Sequence, residues 1–178
     1  FHSANIEQNR IEVTPDMQRI VVACDPAVTA NAQSDETGLI VVGRGVDNHF
    51  YILEDKSGVF SPDVWIKRAI ELYYKFQADR IVCEVNNGGD LIEKLLRVQD
   101  VNVPYSSVRA TRGKMLRAEP ISALYEQGKV HHVGYFKELE EQMCSYTPDT
   151  VKSPDRLDSL VWGISSLMNS GKAIFRIS

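Results

Sequence analysis

The stretch Arg19-Ile-Val-Val-Ala-Cys24, closed by Asp25-Pro26, decides the architecture. A short, uninterrupted, β-branched apolar run of this kind reads as a strand buried on both faces. A polar segment from Thr29 to Asp35 follows, and Thr37-Gly-Leu-Ile-Val-Val-Gly43 reads as a second strand. Asp47-Asn48 makes a turn, so that His49-Phe-Tyr-Ile-Leu-Glu-Asp55 pairs back as a third strand. Connections this short fit an antiparallel meander.

Downstream the pattern changes to alternation of helix and strand. Ser61-Pro62-Asp63 combines an N-cap, a proline at the first helical position and an acid in the first turn. Trp65, Ala69, Leu72, Tyr73 and Phe76 then recur at helical spacing. Asp79-Arg-Ile-Val-Cys-Glu-Val85 is a fourth, buried strand, broken by Asn86-Asn-Gly-Gly-Asp90. A helix carrying Leu91, Leu95 and Leu96 leads to a fifth strand over Val103 to Val108. A helix from about Lys114 to Glu126 ends at Gly128, and Pro120 inside it predicts a kink or a later start. Ser153-Pro-Asp-Arg-Leu-Asp158 opens a closing helix with Leu157, Leu160, Val161, Ile164 and Leu167 on one stripe. Strands separated by helices are parallel crossovers. The fold class is therefore α/β, a mixed sheet with an antiparallel three-strand meander plus parallel strands, flanked by helices.

The chain has 178 residues, 43% of them hydrophobic and 25% charged. That is the size of one domain with one core, and it excludes collagen-like, low-complexity and wholly disordered classes. No apolar run approaches the ~18 residues of a membrane span. A net charge of −4 and a pI near 5.6 argue against a protein whose whole surface is a basic nucleic-acid binder. Cys24 and Cys83 sit in apolar runs and Cys144 stands apart, without CxxC spacing; a reducing cytoplasm fits this usage. Residues 1–17 are polar and aperiodic and read as a linker or lead-in, and a chain opening on Phe1 reads as an excised domain.

Four acids occupy positions that chemistry would choose. Asp25 ends the first strand, and Glu84 lies near the carboxyl end of another, the edge at which α/β sheets collect ligands. Asp155 and Asp158 stand three apart in the closing helix and share a face. Taken singly, Asp25 before Pro26 is a turn residue and Asp155 a helix-start acid. Glu84 resists that reading, because a carboxylate among buried residues needs a partner or a metal. Mg²⁺ or Mn²⁺ prefers such oxygen donors, and two ions together activate water and stabilise a leaving phosphodiester oxygen. Two dications on four carboxylates would also bring the formal charge from −4 to about 0.

Val-Val-Ala-Cys-Asp-Pro-Ala27, Ser-Asp-Glu-Thr-Gly38, Cys-Glu-Val-Asn-Asn-Gly-Gly-Asp90 and Ser-Pro-Asp-Arg-Leu-Asp-Ser-Leu-Val-Trp162 together resemble the nuclease domain of the large terminase subunit. That subunit is the DNA-packaging motor of tailed bacteriophages and prophages. The resemblance covers about residues 18 to 168. It implies a ribonuclease H-like fold and metal-dependent cleavage of concatemeric double-stranded DNA in the cytoplasm of a bacterial host. Carried over by motif, Asp25, Glu84 and Asp158 are the catalytic acids, with Asp155 a further ligand to two Mg²⁺ or Mn²⁺ ions. The family's closing helix often reads as adjacent acids followed by Asp-Ala; here Pro154 and Ser159 depart from that, and Asp158 is favoured over Asp155. The implied partners are the terminase ATPase domain, whose phosphate-binding loop is absent from these residues, the small terminase subunit and the portal. On this reading residues 1–17 lead in, 18–170 form the nuclease domain and 171–178 a tail.

Arg109, Arg112, Lys114 and Arg117 form an acid-free basic segment suited to DNA phosphates. Asp35 and Glu36 read as loop residues near the first hairpin, with at most a peripheral metal role. His131 and His132 lack zinc-spaced partners and read as structural, and Trp65 and Trp162 as core. Two other functions remain open. One is a Holliday-junction resolvase or other ribonuclease H-like nuclease; the other is a non-catalytic DNA-binding or assembly module.

Overall fold

The sheet at the centre of the molecule has six strands in the order β5-β4-β1-β2-β3-β6. The computed structural model describes residues 1–27, 36–85, 89–109, 114–150 and 154–174, with the backbone alone at 114–116 and 170–174. β1 (Met17–Asp25), β2 (Gly38–Gly45) and β3 (Phe50–Asp55) form the antiparallel meander. β4 (Arg80–Glu84) runs parallel to β1, and β5 (Tyr105–Val108) parallel to β4. This is the ribonuclease H-like mixed sheet.

Side chains alternate across each strand, and the two faces receive different helices. Val22, Cys24, Leu39, Val41, Ile81 and Cys83 face α2 (Pro62–Lys75) and α3 (Gly89–Gln99). Val21, Ile40, Val42, Ile52 and Val82 face α4 (Lys114–Glu126), α5 (Lys137–Ser145) and α6 (Asp155–Ile174). The apolar stripe predicted for the closing helix is buried throughout, from Leu157 to Leu167. Each such side chain contributes about 1.5–3 kcal/mol relative to exposure. Two cores on one sheet leave only the strand ends for polar chemistry.

Three elements escaped the sequence reading. β6 (Val130–His132) adds in parallel to the edge of β3, and α5 follows it. Near the start of the chain, α1 (Ser3–Gln8) buries Ile6. Arg10 then donates to Glu140 at 2.8 and 2.6 Å. Glu140 also meets His132 Nδ1 at 3.1 Å, and Tyr125 meets His132 Nε2 at 2.7 Å. His132 is thus structural, and the lead-in is tied to the domain by a charge network. Burial would raise the Glu140 carboxyl, but the hydrogen bonds from Arg10 and His132 outweigh it and bring it down to about 2. α4 continues through Pro120 without ending, and α6 runs to Ile174.

Candidate metal centre

Strand alternation explains why the acids meet. Ala23 shares a face with Asp25, and Val82 with Glu84; both pairs point toward α6. Cys24 is in register with Cys83 on the neighbouring parallel strand, so Asp25 and Glu84 emerge side by side one residue further on. α6 is seated against this edge by close contacts. Ser159 Oγ donates to the Ala23 carbonyl at 2.7 Å, and Gly163 leaves room for Val42 and Ala23 against the helix. The first turn of α6 brings Asp155 and Asp158 to the same point. Asp25, Asp155 and Asp158 are all buried, each with a ligand atom within 4.8 Å of the others.

Burial, then the charges of Glu84 and Asp158, push the Asp25 carboxyl up to about 9, and it hydrogen-bonds to Glu84. A shared proton therefore relieves part of the repulsion at neutral pH. Carboxylate oxygens from separate elements, converging at the positive end of a helix dipole, fit hard dications that keep several waters. In the metal-free protein, Asp25 keeps its proton to about pH 9 when folded and loses it near pH 4 when unfolded. The folded state binds more protons across that window, so this group's stabilisation is full below pH 4 and disappears as pH rises through about 9. The melting temperature of EDTA-treated protein is expected to fall from pH 7 to pH 9, where the Glu140 and His132 contributions are already constant. A flat or rising profile would show that Asp25 does not hold this proton.

Supporting residues were missed by sequence reasoning. Gln142 Oε1 on α5 accepts the N–H groups of Arg156 and Leu157 at 3.1 and 3.3 Å, capping the first turn of α6. Arg156 lies between the two aspartates yet turns away from them. Its guanidinium donates to Asp55 at 2.7 Å and to Glu36 at 3.1 Å. A cation in the first turn of a helix is disfavoured by the dipole, and that was the available signal that Arg156 has dedicated partners. Glu36 is thereby a structural counter-charge; Asp35 lies outside the described residues.

The basic segment divides. Arg109 is exposed. Arg112 and the Lys114 side chain lie outside what is described. Arg117 turns inward: it stands 3.8 Å from Glu84 and its guanidinium lies 4.6 Å from the centre of the Trp162 ring. Trp65 is buried in the core, whereas Trp162 is half-buried under this cation.

Fold and site together define a ribonuclease H-like domain with a buried acidic centre at the carboxyl edge of its sheet. The chain belongs to the terminase RNaseH-like domain family, which it matches over residues 22–167. No curated protein sequence matches it. Among solved structures it is similar, at 15% identity and a TM-score of 0.68, to the large terminase nuclease of thermophilic phage G20c with bound zinc, over 89% of this chain and 94% of that one. It is similar to the large terminase of another thermophilic bacteriophage at 13% identity and a TM-score of 0.69, over 89% of this chain and 42% of that one. The chain thus spans less than half the length of that terminase. T. thermophilus RuvC in complex with a Holliday junction substrate matches at 14% identity and a TM-score of 0.51, over 86% of this chain and 96% of that one. At these identities the likeness establishes the shared fold. Among the described residues, no helix is long and apolar enough to cross a membrane.

Proposed function

We propose that this domain is a divalent-metal-dependent endonuclease that cuts concatemeric double-stranded DNA during viral genome packaging. The observation that carries the reading is the meeting of three buried aspartates from two separate elements within 4.8 Å. Asp25, Glu84 and Asp158 are the catalytic acids, and Asp155 is a further ligand. Two Mg²⁺ or Mn²⁺ ions held by these carboxylates would supply an activated water and a stabilised leaving oxygen. Asp25 gives up the proton it shares with Glu84 when cations are held there. The Arg156 pairs with Asp55 and Glu36, together with the Gln142 cap, keep Asp155 and Asp158 aimed at the strand end. The nuclease domain spans 18–170, with 1–17 as a docked lead-in and 171–178 as a tail. It works in the bacterial cytoplasm with the terminase ATPase domain, the small subunit and the portal.

Plasmid digestion with Mg²⁺, Mn²⁺ or EDTA tests this reading. Metal-dependent cutting of linear and supercoiled duplex, abolished by EDTA, is the expected result. Cutting confined to four-way junctions would replace packaging with resolution, and no cutting or Mn²⁺ binding would leave an assembly module. Arg109, Arg112 and Lys114 contact phosphates in this proposal. Arg109→Ala is therefore expected to weaken duplex binding equally for all sequences and to reduce the slope of log affinity against log salt by roughly 0.9. An unchanged slope in a salt series would return Arg109 to a solvated loop.

A further inference from the structure

Arg117 stands in a different place from the one its neighbours in the sequence suggest. Its side chain is 13% exposed and that of Glu84 10%, so the pair is shielded from the solvent that weakens surface ion pairs. Yet the contact is long, at 3.8 Å, where a charge-assisted N–H···O bond runs about 2.7–2.9 Å. Arg156, by contrast, meets Asp55 at 2.7 Å. Among the described residues, Arg117 Nε and Trp162 Nε1 are both buried with no hydrogen-bond partner, although a guanidinium carries five donors. The cation is held in place by the face of Trp162. That ring stands four residues after Asp158 on α6, on the same helix face as the acids. Asp25, Asp155 and Asp158 gather as one group, and Glu84 is hydrogen-bonded to Asp25 while also facing Arg117.

We infer that Arg117 is a positioning residue that holds Glu84 and competes with divalent cations for it. The inference rests on the nuclease reading above. Resting on Trp162, the guanidinium keeps a positive charge beside Glu84, and without the ring it would be free to swing away. Loading a cation that needs Glu84 then requires breaking a weak, preformed ion pair. The chain thereby carries its own resistance to being fully metal-loaded.

Calorimetric titration of the domain with Mn²⁺ tests this without reference to cleavage. Arg117→Gln is expected to bind Mn²⁺ about tenfold more tightly than the unsubstituted protein. Trp162→Leu keeps both charges but removes the ring beneath the guanidinium; it is expected to tighten binding about threefold. In a Glu84→Gln background both gains should vanish, because there is no carboxylate left to release. Equal tightening by Arg117→Gln with and without Glu84 would reveal a general field effect and overturn the inference. So would unchanged Mn²⁺ affinity in Trp162→Leu, which remains informative if Arg117→Gln does not fold. Failure of the unsubstituted protein to bind Mn²⁺ would instead remove the nuclease reading itself.

Discussion

Asp25→Asn is expected to abolish plasmid cleavage and, with metal removed, to raise the melting temperature. Both effects come from the same burial. Asp25 ends β1 beside Glu84 and against the first turn of α6, so its carboxylate is desolvated and surrounded by like charge. An amide of the same shape is neutral without taking up a proton on folding, and its NH₂ can still donate to Glu84. Catalysis loses what stability gains. The amide carries no charge to hold a dication, and loss of about 4 kcal/mol of transition-state stabilisation corresponds to roughly a thousandfold in rate. Added Mn²⁺ should raise the melting temperature of the unsubstituted domain by binding the folded state alone, and should leave Asp25→Asn nearly unmoved. The fall in stability between pH 7 and pH 9 should also be absent from the variant. An active Asp25→Asn protein, or one whose melting temperature still follows Mn²⁺, would place the metal elsewhere.

What the sequence disclosed and what it withheld divide along the range of the interactions. The buried strands were legible because β-branched runs such as Ile20–Cys24 and Leu39–Val42 have no other comfortable environment. The acids were legible because Asp25 and Glu84 interrupt such runs at their carboxyl ends, and Asp155 and Asp158 share a helical face. β6 was not, because three residues, Val130 to His132, carry too short a period to register. α5 was obscured by its polar surface, with Glu138, Glu140 and Glu141 close together in its sequence. Nor could α1 be seen, since six residues do not make a stable helix on their own; Ile6 and the Arg10–Glu140 pair supply the tertiary support. The basic segment illustrates the same limit. Counting cations grouped Arg117 with Arg109, but one helix turn decides whether a side chain faces solvent or Trp162, and that depends on how α4 lies against α6. Arg156 is the instructive case, because its conflict with the helix dipole was visible in the sequence although its partners were not.

The seating of α6 gives the most direct test of how fold and site depend on one another. Gly38 opens β2 directly across the ladder from Asp25. A methyl group placed on it would lie 2.3 Å from the Asp155 carbonyl oxygen and 2.8 Å from Ser159 Cβ. The first obstacle is helix backbone, which cannot rotate aside as a flexible side chain does. In an ordinary strand, alanine would be favoured over glycine by roughly 0.5–1 kcal/mol through the unfolded chain. Gly38→Ala is expected to reverse that sign and cost about 1–3 kcal/mol net, the usual cost of overpacking. Relief of the clash requires the first turn of α6 to lift from the sheet. The lift would stretch the Ser159–Ala23 hydrogen bond and carry Asp155 and Asp158 away from Asp25. Mn²⁺ affinity should therefore fall together with stability, although no ligand has been changed. Urea unfolding and Mn²⁺ calorimetry on the same preparation measure the two quantities. A stable Gly38→Ala protein with full Mn²⁺ affinity would mean that the acids do not depend on the close approach of α6 to β2.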